Sequence, residues 1–245
     1  MSKNELATLG NVFTTAIATS KGTNLAAAQA LSTKVNYLRR IKLYNGGKDV
    51  KAKRIDDGHF GVYMSKDQIK GLGDSIDLLP ILVGVKAVEF KSPPIESFDA
   101  ESAEFKDIST RALKKGSGCQ AGPRFLVFER TTKEFYELFC GNKSEQREAA
   151  NIITYLPVTQ EMIDADPPQT KETEVRTYPK PFTFSSRLAE NAEGTWFAPK
   201  TEDCLTPFDG LFTEEQLIAA IALFENTGDG SEEVKTEDAP KRRSR

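Results

Sequence analysis

Residues 124–141 read "RFLVFERTTKEFYELFCG": two aromatic-rich runs separated by Thr131, Thr132 and Lys133, a spacing suited to a β-hairpin loop. Phe125, Val127, Tyr136 and Leu138 alternate with Leu126, Phe128, Phe135 and Phe139, so residues of both parities are apolar. Successive side chains of a strand point to opposite faces, and a hairpin that is apolar on both needs cover on both. The pair therefore belongs in the middle of a sheet.

Downstream, "NKSEQREAANIITYL" predicts a helix with Ser144 as N-cap and with Ala149, Ile152, Ile153 and Leu156 at helical spacing, packed on the hairpin. Residues 157–181 are Pro-rich and charged, which predicts a long loop or extended segment without a helix. "GTWFAPKTEDCLTPF" holds the only tryptophan, Trp196, and "FTEEQLIAAIALF" follows as a helix with a Thr213/Gln216 capping box and an apolar face of Leu217, Ile218, Ile221 and Phe224. The last residues are acidic at Glu225, Asp229, Glu232, Glu233, Glu237 and Asp238, have almost no apolar side chains, and end in "KRRSR". Such a segment cannot bury enough surface to offset its ordering entropy and is expected to be disordered.

Upstream, short β-type runs follow one another from Tyr37: "YLRRIKLY", "GHFGVYM" and "DLLPILVGVKAVEF", separated by Gly, Pro, Asn and Asp. Residues 1–35 are rich in Ala, Ser and Thr and read as helical, with Thr23 as an N-cap. The organisation expected is α+β: a helical arm over 1–35, a β-rich domain with flanking helices over 36–225, and an acidic tail with a basic end over 226–245.

Composition narrows the function. At 38% hydrophobic and 28% charged residues the chain is ordinary for a globular protein, and no run approaches the roughly eighteen apolar residues of a membrane helix. The N-terminus lacks a basic start followed by an apolar segment, so a cytoplasmic location is expected. Cys119, Cys140 and Cys204 form no CxxC pair, and an odd count suggests reduced thiols. With one histidine, His59, the usual zinc sites and most His-dependent catalytic sets cannot be assembled, and His59 reads as a turn residue. "KKGSGCQAG", 114–122, lacks both the Walker and the dinucleotide spacing. No cofactor is expected.

The remaining signal is "NYLRRIKLYNGGKDVKAKR", residues 36–54. Arg39, Arg40, Lys42, Lys48, Lys51, Lys53 and Arg54 stand against the single acid Asp49, with Tyr37 and Tyr44 among them and "NGG" reading as a turn. Single-stranded nucleic acid is held by cations that follow its phosphates and by aromatic faces that stack on its bases. These residues are the binding candidates, with Lys114 and Lys115 extending the groove. Tyr136 joins as a stacking candidate, since its hydroxyl tolerates exposure. The net charge of −3 does not oppose this, because acids are gathered in the tail. A solvated hairpin is the plain alternative.

Several stretches carry a resemblance: "IKLYNGGKDVKAKRIDDGHFGVY", "LGDSIDLLPILVGVKAVEF", "GSGCQAGPRFLVFERTTKEFYELFCGNKSEQREAA" and "GTWFAPKTEDCLTPF". They resemble a family of mostly uncharacterised proteins of tailed phages. The order of elements is similar in outline to phage single-stranded DNA-binding proteins, which implies a partly open five-stranded barrel of the oligonucleotide-binding type.

The resulting expectation is a non-enzymatic phage protein that binds single-stranded DNA in replication or recombination, in the cytoplasm of an infected bacterium. Its acidic tail would contact phage replication proteins, no membrane partner is implied, and an oligomer is left open. The alternatives are a structural or host-takeover protein acting through protein contacts, and a metal-dependent nuclease.

Overall fold

The computed structural model describes residues 38–65, 68–166, 168, 170, 172–192, 194–206, 208 and 212–226. The arm expected over 1–35, Tyr37 and all but the first residue of the tail lie outside them. The nine strands are β1 (Arg40–Leu43), β2 (Phe60–Ser65), β3 (Gln68–Gly73), β4 (Ser75–Glu89), β5 (Ile95–Ser97), β6 (Cys119–Glu129), β7 (Glu134–Phe139), β8 (Phe182–Asn191) and β9 (Gly194–Asp203). The five helices among the described residues are α1 (Gly47–Lys51), α2 (Ala103–Ala112), α3 (Lys143–Ile153), α4 (Gln160–Asp164) and α5 (Glu214–Asn226). The class is α+β. The strands form one mixed, open sheet in the order β3-β2-β1-β7-β6-β4-β8-β9, with β5 paired to β4.

The β6–β7 hairpin takes the central place that its two apolar parities require. Phe125 pairs with Leu138 and Val127 with Tyr136, and β7 then pairs in parallel with β1. Its turn is held by Glu129, a buried carboxylate that accepts from Thr131 N at 2.9 Å and Thr132 N at 2.6 Å.

Each face of the hairpin is closed by a helix. On one face Ile41, Phe60, Phe125, Val127, Tyr136 and Leu138 pack with Ala149 and Ile152 of α3. On the other Leu79, Ile81, Leu126 and Phe128 pack with Leu217, Ala220, Ile221 and Phe224 of α5. Each such large apolar side chain contributes about 1.5–3 kcal/mol by leaving water.

Three local expectations change. The α3 N-cap is Asn142, whose side chain accepts from Glu145 N while Glu145 returns the bond in a capping box, so Ser144 falls inside the helix. The connector after Leu156 contains α4, capped by Thr159 Oγ1 accepting from Met162 N. "NGG" leads into α1, so Lys48 and Lys51 lie on a helical turn. The segment returns to the sheet through Gly58 N to Tyr44 O at 2.8 Å and Tyr44 N to His59 O at 3.0 Å. Gly58 has φ 78°, and a Cβ there would meet the Phe197 ring at 2.6 Å, so both backbone and packing call for glycine. His59 is a turn residue, its Nδ1 4.0 Å from Asp56 Oδ2.

Candidate nucleic-acid interface

The α5 face changes character along its length. Beneath α5 it is apolar; past the last turn of α5, the residues that alternation puts on that face are Arg40 and Lys42 of β1, Glu137 and Phe139 of β7, Arg124 of β6 and Lys86 of β4. Strands that are neighbours only through the sheet thus gather four cations around one buried acid.

Two of the four are committed to the fold. Lys86 Nζ lies 3.0 Å from Glu137 Oε1 and 3.0 Å from Glu96 Oε1. Arg124 Nη1 lies 3.5 Å from Glu137 Oε2, and its Nη2 donates to Phe224 O at 2.9 Å, at the end of α5 where the helix dipole favours a cation. The Arg124 guanidinium is stacked between the Phe98 ring at 4.2 Å and the Phe224 ring at 4.1 Å. Desolvation lowers its pKa, and Glu137 works against that shift.

The other two face outward. Arg40 is half-buried with its guanidinium 4.4 Å above the Phe139 ring, and its Nε is buried with no hydrogen-bond partner among the described residues. Lys42 is exposed and stands 5.1 Å from the Tyr44 ring centroid. Its pKa is lowered, first by desolvation and next by Arg40, while Asp49 and Glu145 offset part of the effect. Lys48, Lys51 and Lys53 are exposed on and after α1. Arg54 is exposed and pairs with the buried Asp49 at 3.4 Å.

The remaining candidates are placed elsewhere. Arg39 precedes β1; its carbonyl accepts from Glu137 N at 2.9 Å, and its charge acts on Glu134 at the far end of the strand. Lys114 and Lys115 are exposed after α2, which packs through Ile108 on Ala87 and Cys119 on the α3 side of the sheet.

The stacking assignments need correction. Tyr44 is 2% exposed and Tyr136 1%, so neither ring has a face to offer a base. Tyr136 sits in the α3-side core, donates its hydroxyl hydrogen to Glu134 Oε2 at 2.5 Å and accepts from the Thr132 hydroxyl at 3.1 Å; burial and then Glu134 push its phenol well above the usual range. Tyr44 is raised likewise by burial and Tyr63.

Phe90, 52% exposed, lies just past β4; the rings nearer the basic face that keep some exposure are Tyr63, 39% exposed and hydrogen-bonded to Asp49, and Phe98, half-buried over Lys86 and Arg124. Sequence reading missed Lys86, Arg124 and these two rings. The available signal was a single cation in each of the apolar runs "LLPILVGVKAVEF" and "PRFLVF", since buried Lys and Arg are rare unless paired.

Among the described residues no group of three or more His, Cys, Asp and Glu side chains is placed to hold a metal ion. No helix among them is long and apolar enough to cross a membrane. Compared with known proteins, the chain matches no family model, no curated protein and no solved structure.

Proposed function

We propose that the chain is a non-enzymatic single-stranded DNA-binding protein of a tailed phage, acting in replication or recombination. The observation that carries this reading is the Arg40–Lys42 pair on the open part of the α5 face. Two outward cations lie side by side, the buried acid Glu137 is already engaged by Lys86 and Arg124, and exposed Lys48, Lys51 and Lys53 continue the charge. Beyond desolvation, the pKa of Lys42 is lowered by the Arg40 charge, and a phosphate placed between the two reduces that repulsion.

Arg40, Lys42, Lys48, Lys51, Lys53 and Arg54 take phosphates in this reading, and Tyr63 and Phe98 replace Tyr44 and Tyr136 as stacking platforms. Strands β2-β1-β7-β6-β4 are the counterpart of a five-stranded oligonucleotide-binding core, with β3, β5, β8 and β9 as extensions. The chain runs on from α5 beside Arg124 into the acidic residues 229–238. Those acids compete with DNA for the basic face and, once displaced, engage phage replication proteins.

The test is binding of a fluorescent oligothymidylate by anisotropy across a salt series. The logarithm of affinity should fall with the logarithm of salt by about 0.7 per phosphate contact, giving a slope of roughly −4 for the six contacts. Absence of binding at low salt by both the full chain and a chain ending at Asn226 would refute the proposal.

A further inference from the structure

Trp196, the only tryptophan, lies on β9, far from β1 in sequence. It lines a surface cleft of about 420 Å³ with Leu43, Asn45, Lys143, Ser144 and Asn191. That volume falls within the roughly 300–1,000 Å³ of small-ligand sites and suits one nucleotide, not a folded partner. Trp196 is half-buried, so its ring is held by packing and still reachable.

The cleft is joined to the basic face by short connections. Asn45 directly follows the Lys42–Tyr44 stretch, and its side chain clasps the backbone next to Trp196: Nδ2 donates to Phe197 O at 2.8 Å, and Phe197 N donates to Oδ1 at 2.6 Å. This two-bond clasp fixes β9 against the end of β1. Leu43, the neighbour of Lys42 on β1, lines the cleft together with Lys143. The first-turn amide of Glu145 is already satisfied by the Asn142 cap, and Lys143 and Ser144 line the cleft beside Asn142.

We infer that this cleft takes one unstacked base of the bound DNA strand, stacked on the Trp196 indole, with an adjoining phosphate at Lys143. The inference rests on the proposed single-stranded DNA binding and adds a path for the strand, from Arg40 and Lys42 past Asn45 into the cleft. An indole is a sequence-tolerant platform because every base has a π face.

The experiment uses the full chain and reads two signals in one titration with labelled oligothymidylate. Anisotropy reports binding, and tryptophan emission reports this cleft alone, because the chain has a single indole. Emission should be quenched in step with the anisotropy. Trp196→Ala should lose about tenfold in affinity with the salt slope unchanged, and Trp196→Phe should keep most of it. Lys143→Ala should reduce the steepness of the salt slope by about 0.7.

If the oligonucleotide binds while emission stays constant and Trp196→Ala binds as tightly as the original chain, the cleft assignment is overturned and the DNA-binding reading stands. If anisotropy shows no binding, both fall. The emission measured on the unmodified chain keeps the test decisive even where a variant folds poorly.

Discussion

The two faces of the β6–β7 hairpin are built by the same strands and differ only in parity, yet they solve opposite problems. On the α3 face Phe125, Val127, Tyr136 and Leu138 are at most 4% exposed, and the polar atom of Tyr136 finds partners in Thr132 and Glu134. On the α5 face the apolar run of β6 stops at Leu126, and beyond it Arg124 and Glu137 stand beside the buried ring of Phe139. One face is finished by folding. The other keeps two cations, Arg40 and Lys42, outside the Lys86–Glu137–Arg124 network.

The largest effects should come from breaking the finished face. Phe125→Ala removes a fully buried ring between β7 and α3 and should cost about 4 kcal/mol, read as a lowered urea midpoint. On the other face the sharpest structural lesion is Glu137→Gln, which leaves Lys86 and Arg124 buried without their shared carboxylate. That change should cost about 3 kcal/mol, and Glu137→Gln combined with Lys86→Met should recover part of it, because one uncompensated charge is removed. An unfolding midpoint unmoved by Glu137→Gln would show the network to be of no structural consequence.

How far the sequence disclosed each face follows from the range of the interactions involved. Alternation is local, so the hairpin, its central position and the Thr213/Gln216 cap could be read directly. The β8–β9 hairpin could not, because Ser185, Ser186 and Arg187 dilute its alternation and Pro199 argues against a strand. Pro199 is tolerated because β9 lies at the edge of the sheet. The basic stretch was visible as composition, but its outward pair depends on residues 51 and 100 positions apart that bind Lys86 to Glu137 and Arg124 to Phe224. Tyr44 and Tyr136 were misassigned for a related reason. A tyrosine hydroxyl can be satisfied inside a core, and the partners that do so for Tyr136 are recognisable only once the turn around Glu129 is folded.

The unfinished face should respond in binding more than in stability. Arg40→Ala with Lys42→Ala should lower stability by only about 1 kcal/mol, the loss of Arg40 from the Phe139 ring, read from the urea midpoint. Oligonucleotide affinity should fall steeply at low salt, and the salt slope should lose about 1.4, the share of two phosphate contacts. Equal slopes for the variant and the original chain would remove these two residues from the interface.

The smallest effect should come from Lys114→Ala with Lys115→Ala. These lysines were joined to the groove by their charge, but they follow α2, which packs through Ile108 on the α3 side of the β4–β6 ribbon, whereas Arg40 and Lys42 project from the α5 side. Removing both charges should therefore weaken binding only through the general field, which decays over a Debye length of about 8 Å at physiological ionic strength. The expected result is a change of less than about threefold at that salt with the slope unaltered. A slope loss as large as that of the Arg40 and Lys42 pair would mean that DNA wraps around the ribbon tip and meets both faces, which would remove the distinction between a finished and an unfinished side.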